Sequence, residues 1–186
     1  MSAIFVTGPV RSGKSAFAVL LAERSGARVT FVATAARDAG DPEWSARLER
    51  HARERPAAWA TLETAGLGPE ELLVRLAGAD SSEFWVFDAL GTWLATRLFE
   101  RADAIEGDYA GVEAALDGEA SALADALVAF AGTIAIVGEQ VGWDVVPERA
   151  SARLFRDVLG RMERRIAARA ERVVLLVAGL PLELKP

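Results

Sequence analysis

The sequence contains no cysteine. Disulfides and thiolate metal sites are therefore excluded, and the composition fits a cytoplasmic protein. No apolar run approaches ~18 residues, so no membrane span is expected. The N-terminal apolar stretch lacks a basic flank and runs straight into a glycine loop, so a signal peptide is not expected. Basic charge is also scarce: 21 Lys and Arg stand against 27 Asp and Glu, for a net charge of −6. This argues against nucleic-acid binding and for a small-molecule substrate. No internal repeat, low-complexity tract or linker interrupts the chain. Its 186 residues suit a single domain, 1–186, with a sizeable core. Hydrophobic residues are plentiful at 52%, as in a well-buried α/β protein.

Residues Gly8, Pro9, Val10, Arg11, Ser12, Gly13, Lys14 and Ser15 form a full G-x-x-x-x-G-K-[ST] phosphate loop. An apolar run, Ala3–Thr7, precedes it, and a helix-like run follows. Strand, loop and helix N-terminus together make an anion site, with backbone N–H groups around the phosphates. Lys14 can reach the outer phosphates, and the Ser15 hydroxyl can coordinate magnesium. A chance glycine turn is the bland alternative, but all eight positions fit. Nucleoside triphosphate binding is expected.

Further apolar runs read as strands at Val29–Ala33, Trp59–Leu62, Phe84–Phe87, Thr133–Val137 and Val173–Ala178. Helices are expected at Lys14–Ser25, Pro42–Glu54, Pro69–Ala77, Leu90–Glu100, Tyr109–Phe130 and Ala150–Ala170. The alternation predicts a doubly wound, mostly parallel sheet flanked by helices. Pro181–Leu184 suits an edge strand. Arg101–Asp108 carries no clear pattern and is expected to be a mobile loop.

Two further features bear on chemistry. Asp88 ends the apolar strand Phe84–Phe87. An acid there contacts magnesium in many phosphate-loop enzymes, although an ordinary turn Asp has the same appearance. The only histidine, His51, lies on a helix capped by Asp41, with Pro42 in the first turn. Glu43, Arg47, His51 and Arg55 recur every four residues along one face, opposite Trp44 and Leu48. One reading is a solvated face with a harmless histidine. The other is a nucleophilic imidazole that attacks phosphorus, with Arg47, Arg50 and Arg55 keeping it neutral and holding phosphoryl oxygens. The spacing leaves both open.

The ordered motifs resemble those of the bifunctional adenosylcobinamide kinase/adenosylcobinamide-phosphate guanylyltransferase family of cobalamin biosynthesis. Thr7-Gly8 with Arg11–Ser15 resembles T-G-G-x-R-S-G-K-S, and Phe31–Ala35 resembles Y-I-A-T-A. Asp41-x-Glu43-Trp44-x-x-Arg47-Leu48 resembles D-x-E-[MW]-x-x-R-I. His51, Arg55 and Pro56 fall on H-x-x-x-R-P. Asp88, Leu90 and Trp93-Leu94 resemble D-C-L-T-x-W-L. Arg153–Gly160 resembles R-x-F-R-D-x-x-G, and Val177–Pro181 resembles V-[AS]-G-[IL]-P. The match runs from the first strand to nearly the last residue.

The resemblance implies a RecA-like phosphate-loop domain that assembles as a homotrimer and performs two reactions. A kinase step phosphorylates adenosylcobinamide from ATP or GTP. A transferase step moves GMP from GTP onto that phosphate through a guanylylated histidine, here His51. It further implies catalytic roles for Lys14 and Asp88, magnesium at Ser15 and Asp88, and nucleotide contacts from Thr34, Ala35, Arg47, Arg55 and Glu63. The alternatives are a member keeping one activity and a non-catalytic nucleotide-binding paralogue.

Several positions depart from the family pattern. Gln140 replaces a Glu, which removes a candidate base or metal partner. Adjacent Glu139 is a substitute whose side chain is expected to point differently. Asp144 replaces a Gly, Gly91 a Thr, Thr96 an Asn and Glu163 an Asn. Asp144 and Glu163 add negative charge that opposes phosphate binding if it lies nearby.

Overall fold

Near-continuous apolar strands must be covered on both faces, and the structure, a computed structural model, meets that demand with one seven-stranded sheet. It describes residues 2–36, 40–53, 55–143 and 145–186, without the side chains of Arg47 and His51. The strands are β1 (Ser2–Thr7), β2 (Arg28–Ala33), β3 (Ala60–Glu63), β4 (Glu83–Asp88), β5 (Thr133–Val137), β6 (Arg172–Val177) and β7 (Leu180–Lys185). Their order is β3-β2-β4-β5-β1-β6-β7. All neighbours pair in parallel except β6 and β7, which form an antiparallel hairpin. The mostly parallel, helix-flanked sheet is the expected class, and the expected edge strand is β7.

The helices are α1 (Lys14–Ser25), α2 (Pro42–Arg53), α3 (Pro69–Ala77), α4 (Leu90–Phe99), α5 (Tyr109–Val128) and α6 (Ala150–Arg169). Alternate strand residues serve opposite faces. Phe5, Trp85, Phe87, Ile134 and Ile136 join the large core under α3 to α6. Phe31, Phe84, Val86, Ala135 and Val137 pack with Ala18 and Ala22 of α1. Each fully buried Leu or Phe in these layers stabilises the fold by about 1.5–3 kcal/mol before entropy is counted.

Arg101–Asp108 departs from the expected mobile loop. Ala102–Ala104 forms a 3-10 turn, Ile105 is buried, and Arg101 pairs with Glu119 on α5. Asp108 then caps α5 by accepting the Gly111 N–H at 2.9 Å. The segment is too short to show periodicity, yet one apolar anchor and one ion pair fix it.

The register aligns the C-terminal ends of the strands. Glu63 pairs with Ala33, Ala33 with Asp88, Asp88 with Val137, and Val137 with Val6. The Gly138 amide donates to the Val6 carbonyl and that of Gln140 to the Gly8 carbonyl, at 2.9 and 3.1 Å. Loops from β1 to β5 thus open along one edge, where ligands of open parallel sheets bind.

Candidate functional site

The phosphate loop leaves β1 at Gly8. A side chain there would collide with the Leu176 carbonyl of β6, so only glycine lets the loop pass. Arg11 takes a left-handed backbone, φ 57°, a conformation that concentrates at ligand sites. The Gly179 N–H at the tip of the β6–β7 hairpin donates to the Ser12 carbonyl at 2.9 Å. The last hairpin therefore braces the first loop. Lys14 is buried, and its Nζ donates to the Pro9 carbonyl at 3.0 Å, spanning the loop. Ser12 Oγ is buried without a hydrogen-bond partner among the described residues. A phosphate oxygen in the loop supplies the kind of acceptor it lacks.

Ser15 and Asp88 come together across the β1–β4 gap, with Ser15 Oγ donating to Asp88 Oδ1 at 3.0 Å. A hydroxyl and a carboxylate of this kind suit a magnesium ion that is completed by phosphate oxygens and water. Among the described residues no group of acidic or histidine side chains suffices to hold a metal unaided. A metal shared with the nucleotide is what this donor set fits.

Thr34 is buried, with its hydroxyl engaged by Ala89 and Thr92. Its amide donates to the Asp88 carbonyl at 3.2 Å. Thr34 therefore fixes the turn after Asp88, and Ala35 continues the chain past it, half-buried. Val10 and Arg11 are exposed at the rim, as is Glu63 at the end of β3.

α2 differs in character from the rest of the site. None of its described residues is buried. Asp41 Oδ1 accepts the Trp44 N–H at 2.9 Å, the expected cap, and Trp44 Nε1 donates to the Ala36 carbonyl at 2.9 Å. Just beyond the helix, the Arg55 guanidinium lies 3.6 Å from the centre of the Phe31 ring. Burial lowers the Arg55 pKa, while the charges of Asp88 and Glu63 raise it. Arg55 thus carries the C-terminal end of the His51 helix to the phosphate edge. The side chains of His51 and Arg47, like all of Asp144, lie outside the described residues.

The Glu163 and Gln140 substitutions form a local pair. Gln140 Nε2 donates to Thr7 Oγ1 at 2.9 Å and to Glu163 Oε2 at 3.0 Å. The family's Glu and Asn at these positions are thus replaced by an amide and a carboxylate that bond each other. Glu163 is buried, and burial first, then the charge of Glu139, push its carboxyl up to about 8. Burial thus favours its neutral form, which weakens the opposition to phosphate expected of Glu163. Glu139 Oε2 instead accepts the Gly91 N–H at 2.9 Å. Burial pushes the Glu139 carboxyl up to about 7, with the Gly91 amide and Lys14 pulling it down and Asp88 pushing it up. Sequence reading singled out Gln140 as the altered group at the site. The carboxylate in the field of Lys14 and Asp88 is that of Glu139.

Comparison with known proteins agrees along the whole chain. The family model described as cobinamide kinase/cobinamide phosphate guanyltransferase matches residues 4–184. The bifunctional adenosylcobalamin biosynthesis protein CobP of Pseudomonas aeruginosa is 37% identical over 181 residues, covering 97% of this chain and 95% of that protein. The bifunctional adenosylcobalamin biosynthesis protein CobU of Salmonella typhimurium is 33% identical over 194 residues, covering 98% and 99%. A KaiC-like protein of Pyrococcus horikoshii is a remote structural neighbour, 19% identical with a TM-score of 0.43, covering 94% of this chain and 70% of that one. With a phosphate loop, a strand-end acid and this coverage in hand, the chain belongs to the cobinamide kinase/cobinamide phosphate guanyltransferase family.

Proposed function

We propose that residues 1–186 act as one domain that phosphorylates the aminopropanol hydroxyl of adenosylcobinamide and then attaches GMP to the phosphate so formed. The nucleotides are ATP or GTP for the first reaction and GTP for the second. The observation that carries this reading is Arg55, seated on Phe31 within reach of the charges of Asp88 and Glu63. It brings the end of the histidine-bearing helix to the strand ends beside Asp88, so one nucleotide edge serves both reactions.

In the kinase step the loop amides and Lys14 hold the β- and γ-phosphates, and they offset the charge that moves onto the leaving diphosphate. Magnesium at Ser15 and Asp88 supplies further charge neutralisation when bound. In the transferase step neutral His51 forms a bond to the α-phosphorus of GTP as the bond to pyrophosphate breaks. A phosphate oxygen of the corrinoid then bonds that phosphorus, and His51 leaves with its lone pair restored. Arg47 and Arg55 hold the guanylyl phosphate. Thr34 and Ala35 shape the nucleotide edge, and Glu63 keeps Arg55 in place. We infer a cytoplasmic homotrimer that binds no nucleic acid and has no membrane span; light scattering that gives a monomer at micromolar concentration rejects the trimer.

The test is transfer from α-labelled GTP. Wild-type protein is expected to gain an acid-labile, base-stable label that His51→Ala loses while it still phosphorylates adenosylcobinamide. Equal labelling of the variant rejects His51 as the nucleophile. No label on wild-type protein during transferase turnover rejects the covalent route.

A further inference from the structure

Glu139 stands just past β5, between β1, which feeds the phosphate loop, and β4, which ends in Asp88. Its two oxygens differ. Oε2 accepts the Gly91 N–H in the first turn of α4. Among the described residues no donor reaches Oε1, and the residue stays partly open to solvent. The adjacent Gln140 N–H donates to the Gly8 carbonyl of the phosphate loop, which places Glu139 at the phosphate edge, where the charges of Lys14 and Asp88 act on it.

Gly91 makes the seat. A Cβ at position 91 would stand 2.6 Å from Glu139 Oε2 and 3.0 Å from its Cδ. Side-chain carbons do not approach so closely, so any larger residue displaces the carboxylate. The other nearby acids have other partners. Asp88 holds the Ser15 hydroxyl, and Glu163 holds Gln140 behind the loop. Glu163 Oε1 also lacks a partner among the described residues but is fully buried, whereas Glu139 presents an anchored carboxylate on a residue that stays partly open to solvent.

We propose that Glu139 is the general base of the kinase step and that Gly91 is the residue that positions it. This rests on the kinase reading above. The hydroxyl oxygen of the corrinoid bonds the γ-phosphorus as the bond to the β,γ-bridging oxygen breaks. The nucleoside diphosphate departs with that electron pair, and the hydroxyl proton passes to Glu139 Oε1. The guanylyl reactions need no such transfer, because the attacking groups are a neutral imidazole and a phosphate anion. Glu139 therefore serves one of the two reactions.

The experiment measures both reactions in Glu139→Gln, Gly91→Ala and the double variant. Glutamine keeps the shape and still accepts the Gly91 N–H. Glu139→Gln is expected to lower kinase kcat by about 100-fold, with KM for nucleotide and corrinoid unchanged and guanylylation from α-labelled GTP at the wild-type rate. Gly91→Ala is expected to lower kinase kcat comparably, and to add no further loss in the Glu139→Gln background. Kinase kcat within about threefold of wild type in Glu139→Gln overturns the proposal. An equal loss of guanylylation overturns it too, since a purely structural part of the shared edge has that effect. Absence of kinase turnover in wild-type protein rejects instead the kinase reading on which the proposal stands.

Discussion

The phosphate edge and the His51 helix are built in opposite ways. At the edge, Lys14 is buried, Ser15 and Asp88 bond each other, and Thr34 locks the turn behind them. The groups proposed to handle phosphates sit at the start of α1 and at the end of β4. The α2 helix has no buried residue among those described and is tied down by Asp41, by Trp44 and, just past its end, by Arg55. The difference separates the tasks. Phosphates must meet fixed donors, whereas the proposed nucleotidyl carrier sits on a helix whose described residues are all at least partly exposed. Loss of Lys14 or Asp88, which both reactions share, should therefore stop both, and damage to α2 should stop one.

Lys14→Ala should have the largest effect, cutting kinase and guanylylation rates alike by about 100- to 1,000-fold. Parallel assays with both substrates check this, and loss of one activity alone breaks the division. Asp88→Asn should lower both by about 10- to 100-fold and raise the magnesium concentration needed for half-maximal rate. A magnesium titration that overlays the wild type removes Asp88 from the metal.

Trp44→Phe sharpens the other side of the comparison. It deletes the hydrogen bond to the Ala36 carbonyl, worth about 1 kcal/mol. Guanylylation should fall several-fold, hydrogen exchange in α2 should quicken, and the kinase rate should hold. A matching kinase loss means that α2 is part of the rigid edge after all.

The smallest effect concerns stability and pH. The Glu163 carboxyl is raised from 4.5 to about 8 in the folded protein. The folded state then holds a proton that the unfolded chain releases, so stability falls as pH rises from the unfolded value through the folded one. Glu139, raised to about 7, adds to the same slope. Melting temperature should decline by a few degrees between pH 6 and 9, and Glu163→Gln should flatten the decline. An unchanged slope in that variant assigns it to other groups. Gln140→Glu should steepen it, because a carboxylate would then face Glu163.

Much of this arrangement was legible in the sequence because it is written locally. An apolar strand, eight loop positions and a helix start are contiguous, and Asp88 is announced by the four apolar residues before it. The Asp41 cap needed no tertiary information either. What escaped depends on residues far apart in the chain. Thr34 is one case: its hydroxyl is held by Ala89 and Thr92, far along the chain. Glu139 and Gln140 are adjacent, and only the continuation of β5 along Val6 and Gly8 decides which one meets α4. Gly91 looked like a lost side chain and is the space that Glu139 occupies. Ile105 alone is too small a signal to reveal that its segment is anchored.

The position of β1 also has a consequence for the order of synthesis. Its two neighbours, β5 and β6, begin at Thr133 and Arg172. The Ser12 carbonyl finds its partner only at Gly179. β1 therefore leaves the ribosome unpaired and apolar, well before either of its neighbours is made. The growing chain thus carries the phosphate loop well before Gly179 is made to brace it.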